Sequence, residues 1–419
     1  MSGTAARCDV VVVGGGMVGA SLALALAGNA LRVALIEPVL PGVGAQPSFD
    51  ERCTALANGS RQMLASLGAW PAIAPHAATI RTIHVSEAGR FGSARIEAAA
   101  LGLPALGYTA PNRAIGAGLW EALRARPGVQ LLAPARVHDA IFHADQVELR
   151  LLEGSGAASR EQRLCARLVV AADGDRSLVR ERAGLGAAAV DYGQVALVAN
   201  LVAERRAEHT AYERFGTAEG PLALLPRPDG HYTVVWCVAR DVADDLRVGD
   251  PALFLERLQA ACGWRVGAFL KVGERAGYPL RLQRAQQLVG PRVVLVGNAA
   301  QSLHPVAGQG FNLGLRDVAT LAETLVAAGA TGRDPGDPAL LAQYQQARLQ
   351  DRAGMTAFTD GLVRLFALSF PGAGALRSAG LTLFDVAPGA KRALSGVSWG
   401  FGARTPRLLR GLPSVAERE

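Results

Sequence analysis

The chain has 419 residues, of which half are hydrophobic and 19% charged, and its formal net charge is +7. That length exceeds one compact domain, and that composition excludes a disordered chain and predicts a large core shared between lobes. All but Lys271 and Lys391 of the 43 basic residues are arginine, scattered among acids with no like-charge block and no aromatic platform, which argues against a nucleic-acid partner.

In chain order, the uncharged stretch Val10 to Leu31 is long enough to be taken for a membrane span or signal peptide. Asp9 directly before it and Gly14, Gly15, Gly16 and Gly19 inside it predict something else: a buried strand over 10–13, a glycine turn and a helix over 17–27. A second strand over 31–36 completes a βαβ unit with a right-handed crossover. Short apolar strands over 167–172 and 292–296 return to the same kind of sheet, each followed by a polar, glycine-containing turn. Between them, strand-like segments over 195–203, 222–225 and 232–239 are separated by Pro and Gly turns, which predicts an antiparallel sheet. A helix over 250–262 follows, and from about Arg316 onward the chain reads as helical. The expected division is a dinucleotide-binding lobe from 1–78, 106–186 and 287–330, a substrate lobe from 79–105 and 187–286, and a C-terminal helical region over 331–419. The five cysteines are odd in number and far apart, with no Cys-x-x-Cys pair. No metal site and no disulfide framework are expected, and a reducing compartment is implied.

Three motifs carry chemistry. The first is Gly14-x-Gly16-x-x-Gly19, entered from a strand, left by a helix that begins at Met17, and followed by Glu37 at the end of the next strand. Gly14 permits the tight turn, Gly16 lets backbone approach a pyrophosphate, and Gly19 lets helix pack on strand. The helix N-terminus offers N–H groups to phosphates, and Glu37 can accept hydrogen bonds from ribose hydroxyls. The motif alone does not separate FAD from NAD. The second is the Asp173-Gly174 turn with trailing Arg180, which suits a loop close to a cofactor, though such a turn is commonly no more than a turn. Arg180 can neutralise phosphate or pair with an acid. The third runs from Gly297 and Asn298 to Gly314, where Gly308 and Gly310 let backbone N–H groups face a ligand at a helix start. His304 precedes Pro305 and is held extended, which favours a structural or flavin-adjacent role over catalysis.

Together the three motifs resemble the class A flavoprotein aromatic hydroxylases, over nearly the whole chain. The strings Phe49-Asp50-Glu51-Arg52, Gly220 to Pro226, Val235-Trp236-Cys237 and Val296 to Asp317 are most similar to the ubiquinone-biosynthesis branch that acts on polyprenyl 6-methoxyphenols. The wider family usually has Asp at position 298 and His at position 301. The Asn298 and Gln301 found here mark the 6-methoxyphenol branch, and an amide can still hydrogen-bond a ribityl hydroxyl.

The resemblance implies an α/β fold in which a Rossmann-like FAD-binding lobe carries an inserted, mostly antiparallel β-sheet lobe and a helical C-terminus. It also implies FAD as cofactor, NADPH or NADH as a transient electron donor, O2 as co-substrate, no metal, and a polyprenyl phenol substrate. Gly14, Gly16, Met17, Gly19 and Glu37 would hold the ADP half of FAD, and Arg52 would lie near the phosphates and nicotinamide nucleotide. Asp173, Gly174 and Asn298 would meet the flavin's linker. His304, Pro305, Gly308, Gln309, Gly310, Phe311 and Asn312 would surround the ring. Leu224, Pro226 and Trp236 are expected substrate contacts or, equally, sheet core. Oxygen transfer to a phenol needs no nucleophile, and no catalytic base is identified. The prenyl tail implies contact with a membrane surface. Lys391, Arg392, Arg404, Arg407, Arg410 and Arg418, interleaved with Trp399, Phe401, Leu408, Leu409 and Leu412, read either as an interfacial segment or as a cover for the core. The expected location is the bacterial cytoplasm, soluble or peripheral at the inner membrane, without signal peptide or transmembrane helix. A homo-oligomer or a ubiquinone-biosynthesis complex is a possible assembly. The rival readings are a sibling hydroxylase acting at another ring carbon, a prenyl-lipid reductase or oxidase, and a non-catalytic flavin-binding scaffold.

Overall fold

The computed structural model describes residues 6–40, 50–154, 159–302, 308–367, 372–387 and 405–413. His304 and Pro305 lie outside these residues, as do Phe49, Lys391, Arg392, Trp399, Phe401, Arg404 and Arg418.

The β-branched strand Ala6–Val13 lies inside the first sheet, flanked in parallel by Arg160–Ala171 and Val33–Ile36. Val33–Ile36 pairs in parallel with Val129–Leu132, and Arg160–Ala171 with Val293–Leu295. Val10, Val11 and Val12 are wholly buried, as a parallel strand covered on both faces requires. The register sets Val13 beside Ile36 and Ala171, and Ala171 beside Leu295. Gly14, Glu37, Ala172 and Val296 therefore all leave the sheet at one carboxyl edge, the edge where such sheets bind ligands. Asp9 sits at the other end of the strand, paired with Arg32 and Arg167. No helix among the described residues is long and apolar enough to cross a membrane.

Two expectations change in detail. The strand over 167–172 is the second half of Arg160–Ala171, whose first half pairs antiparallel with Val147–Glu153. The helix expected from about Arg316 begins at Gly310 and runs to Ala330.

The second sheet has nine strands among the described residues. Its order is Gln301–Ser302, Ala276–Ala285, Ala187–Ala203, Tyr232–Ala239, Leu222–Pro226, Thr210–Phe215, Thr82–Glu87 and Ser93–Glu97, with Phe269–Val272 also on Ala187–Ala203. All pairs are antiparallel except Thr210–Phe215 with Thr82–Glu87. Gln301 and Ser302, from a stretch expected in the cofactor lobe, thus pair with this sheet.

Side chains alternate between the sheet's two faces. One face is closed by the helices Arg240–Val248 and Pro251–Cys262: Leu197, Leu222, Leu224, Val234 and Trp236 pack there with Leu246, Phe254 and Leu258. The other face turns toward a three-stranded sheet of Cys53–Ala57, Gly107–Pro111 and Ala78–Ile80, where Ala57 and Ile80 pack with Ala211, Leu225 and Val235.

The helices Pro338–Ala367 and Ala373–Val386 follow Gly310–Ala330. The short helix Arg407–Arg410 corrects part of the interfacial reading. Leu408 and Leu409 are buried in the main core, and the Arg407 amide donates to the Glu323 carboxylate, so these residues cover the fold.

Candidate flavin site

The first motif forms a cradle that only glycine can build. Gly14 has φ +103°, and a Cβ there would stand 2.5 Å from the Ala172 carbonyl oxygen. A Cβ on Gly19 would stand 1.9 Å from the Gly14 carbonyl oxygen. Gly16 caps the helix Met17–Leu26 in extended conformation with no side-chain hydrogen bond, which leaves the first-turn amides of Met17 and its neighbours facing the edge. Glu37 is buried and fixes the turn: Oε2 accepts from the Gly15 amide at 2.7 Å and Oε1 from the Val39 amide at 2.9 Å. Trp120 Nε1 donates to the Gly15 carbonyl at 2.9 Å.

The second motif meets the first through the Gly14–Ala172 contact. Asp173 Oδ2 accepts from the Val179 amide at 3.3 Å, while Oδ1 is buried with no partner among the described residues. Burial pushes the Asp173 carboxyl above its usual range. Gly174 turns the chain at φ +87°. Among the described residues Arg180 pairs with no acid. Its guanidinium donates to the carbonyls of Ala299 at 2.8 Å and Asp175 at 2.7 Å, stapling the second motif to the third.

In the third motif, Gly297 turns at φ +58° against Val18, and its amide donates to Asp317 Oδ2 at 3.0 Å. Asp317 is held by the buried Arg348 at 2.7 Å. Asn298 is exposed at the carboxyl edge, and Gln301 Nε2 is buried without a partner among the described residues. Gly308 has φ +60°, Gln309 is buried, and Gly310 faces open space at the helix start, with Phe311 half-buried against the core. The Asn312 side chain is fully committed to protein. Its Oδ1 accepts from the Ala57 amide at 2.9 Å and Ser60 Oγ at 2.8 Å, and its Nδ2 donates to the Ala55 carbonyl at 2.9 Å. A cofactor contact at Asn312 is therefore left to its backbone.

Arg52 lies where the three-stranded sheet meets the second sheet. Its Nε donates to Asp50 Oδ2 at 2.5 Å, and its guanidinium lies 4.1 Å from the centre of the Tyr278 ring. Nearby, Thr233 Oγ1 donates to Cys53 Sγ at 3.3 Å.

Leu224 and Trp236 are not at the site. Both are wholly buried on the helix-covered face, Trp236 edge-on to Phe254, because the alternation that turns Val235 toward the site turns its neighbours away. Pro226 is buried too, and its carbonyl accepts the Thr109 hydroxyl. Sequence reasoning missed Glu213, which lies on the site-facing side. Its own strand mixes Tyr, Glu and Arg and gave no signal; the neighbours that mark it, Val85 and Ala223, come from other strands.

The glycine cradle and the unpartnered Asp173 Oδ1 lie at the carboxyl edge of the first sheet, and with the unpartnered Gln301 amide and the open helix start at Gly310 they fit FAD. The FAD binding domain family matches residues 7–359. The chain is 38% identical to the ubiquinone hydroxylase UbiL of Rhodospirillum rubrum, over 97% of this chain and 93% of that one. It is 33% identical to the 3-demethoxyubiquinol 3-hydroxylase of Escherichia coli, over 92% of this chain and 96% of the other. The p-nitrophenol 4-monooxygenase PnpA of Pseudomonas putida has a similar fold, with a TM-score of 0.76 at 21% identity over 93% of this chain and 97% of that one. The chain belongs to the FAD-binding aromatic hydroxylases, on the branch that holds the ubiquinone hydroxylases, and is an FAD-dependent monooxygenase.

Proposed function

We propose that this enzyme hydroxylates a 2-polyprenyl-6-methoxyphenol at the ring carbon para to its hydroxyl, giving the 6-methoxy-1,4-benzoquinol of ubiquinone biosynthesis. The observation that carries the reading is the pair Asn298, exposed just past the end of the strand Val293–Leu295, and Gln301, whose buried Nε2 has no partner among the described residues. The names of the Rhodospirillum rubrum and Escherichia coli relatives support ring hydroxylation in that pathway. The Escherichia coli name gives a 3-hydroxylase and the Rhodospirillum rubrum name gives no ring position, so a sibling hydroxylation at another carbon is the second reading.

Bound at the carboxyl edge and reduced by NADPH or NADH, FAD would supply the chemistry by which one oxygen atom of O2 enters the ring and the other leaves as water. The protein positions and shields. Gly14, Gly16, Met17 and Glu37 would hold the adenosine and pyrophosphate half, and Asp173 Oδ1 and Asn298 would face the linker. Amides at 308–312 place donors at the ring end, where negative charge gathers. The apolar sheet face excludes water around the reacting ring. The prenyl tail leads toward a membrane surface, and the exposed Phe91, Leu376 and Leu383 support that reading.

The test uses the FAD-loaded enzyme, NADPH or NADH, labelled oxygen gas and a short-tailed 2-prenyl-6-methoxyphenol. One labelled oxygen para to the phenol hydroxyl, seen by mass spectrometry, is the expected product. Label at another carbon would establish the sibling activity, and bound flavin without labelled product from any prenyl phenol would overturn the hydroxylase assignment.

A further inference from the structure

The site-facing side of the second sheet carries one cross-strand row whose members all come from register: Ala94, Val85, Glu213, Ala223, Val235, Val198 and Ala276. Every member except Glu213 is apolar. Its central members, Val85 through Val198, are half-buried in mid-sheet, whereas Leu222, Leu224, Val234 and Trp236 on the opposite face are at most 2% exposed. Beside the row on the same face, Ala196, Ala211, Phe215, Leu225 and Cys237 are buried, so the row is the half-open floor of a narrow cleft between covered neighbours. The cleft faces the cofactor edge. Thr233 on one side of the row touches Cys53, and Tyr278 on the other side touches Arg52. Val235 packs with Ala57, whose amide is held by Asn312 at the helix start.

We infer that Glu213 is the proton acceptor for the phenol hydroxyl of the substrate, standing in the cleft wall across from the flavin ring. This rests on the phenol substrate proposed above. Among the described residues Glu213 has no hydrogen bond and no ion pair. Burial alone pushes its carboxyl up to about 7, matched to work near neutral pH. A half-buried acid with no partner among the described residues leaves its carboxylate free to take one from a ligand. The phenol O–H donates to a Glu213 oxygen and gives up its proton. The para carbon then uses the ring's own electron pair to form its C–O bond to one O2-derived oxygen, whose O–O bond breaks; the other oxygen leaves as water, and the two electrons that reduce O2 come from NADPH or NADH. That carbon loses its hydrogen as a proton to solvent, and Glu213 returns its proton to the first oxygen, leaving the quinol.

Other charged and titratable groups on this face do not compete for the role. Glu87 is bound by Arg377, Asp50 by Arg52 and Tyr278, and burial pushes the Cys237 thiol up to about 12. Arg227, at the end of its strand, donates to Asn200 and pairs with Asp229. Arg214 and His84 turn to the helix-covered face, where Arg214 donates to the Ala261 carbonyl and His84 meets the Tyr212 ring.

The experiment compares FAD-loaded wild type with Glu213→Gln by steady-state hydroxylation across pH. Wild-type kcat/KM is expected to rise as pH climbs through about 7, because the carboxylate is the accepting form. In Glu213→Gln that limb disappears and kcat falls about 100-fold with KM little changed, while NADPH or NADH, whichever the wild type uses, is still oxidised without product. Wild-type kcat and an unaltered pH limb in Glu213→Gln would overturn the inference. Should the Gln variant fail to hold flavin, Glu213→Asp withdraws the carboxylate by about 1.5 Å. A drop of about tenfold or more in its kcat supports the role, and an unchanged kcat overturns it. All variants are measured on whichever phenol the wild type consumes, so a wrong ring position overturns the functional reading and leaves Glu213 to be judged separately.

Discussion

The two large sheets meet the reaction in different ways. The first presents strand ends: four of them finish level, and backbone amides and glycine turns do the binding. The second presents a face, and the side chains of alternate residues do the work. A strand end tolerates few residue types, because a Cβ at Gly14 or Gly19 would collide with backbone. A sheet face tolerates many, and its meaning depends on which side the helices cover. The first prediction tests the strand-end half. Gly19→Val is expected to lose essentially all bound flavin, since nothing at the 1.9 Å contact with the Gly14 carbonyl can yield except the turn itself. Flavin absorbance per chain after gel filtration is the measure, and near-normal occupancy would show that the turn is not the cradle.

The same difference explains what the sequence made legible. Gly14, Gly16, Gly19, Glu37, Asp173 and Asn298 could be named because each follows an apolar strand and each does something only its residue type does. The sheet face could not be read that way. Leu222–Pro226 is Leu-Ala-Leu-Leu-Pro, nearly all apolar, so its alternation carries no sign of which side is core. Leu224 and Trp236 were plausible by size, yet they filled the closed face, and the half-open row on the other is Val85, Glu213, Ala223, Val235 and Val198. Thr210–Phe215 mixes Tyr, Glu and Arg and reads as a surface strand. Its Glu213 acquires meaning only when Val85 and Ala223 flank it in register.

A paired substitution sharpens the contrast between the two faces. Trp236→Ala removes a wholly buried ring packed on Phe254 and is expected to cost about 3–5 kcal/mol of stability, with little change in KM for enzyme that stays folded. Ala223→Leu on the cleft wall is expected to do the reverse, raising KM about tenfold with a small change in Tm. Thermal unfolding and steady-state kinetics on both variants would separate them. A rise in KM from Trp236→Ala without loss of Tm would return that side chain to the substrate site.

The smallest effect expected belongs to Asp173, and it has two signs. Without flavin, its buried Oδ1 lacks a partner, and burial raises the carboxyl's folded-state pKa above the unfolded value. A raised acid favours the fold while protonated. The flavin-free protein should therefore lose stability as pH climbs from the ordinary carboxylate range through the raised one. Asp173→Asn removes that slope and is expected to stabilise the flavin-free chain at neutral pH. The same change removes a charged acceptor facing the cofactor's linker and is expected to weaken FAD binding about tenfold. Urea unfolding of the flavin-free protein across pH, set beside flavin titration, measures both. A variant that binds FAD as tightly as wild type would mean that the unpartnered oxygen does not face the cofactor, and the second motif would reduce to the loop that Arg180 staples to Ala299.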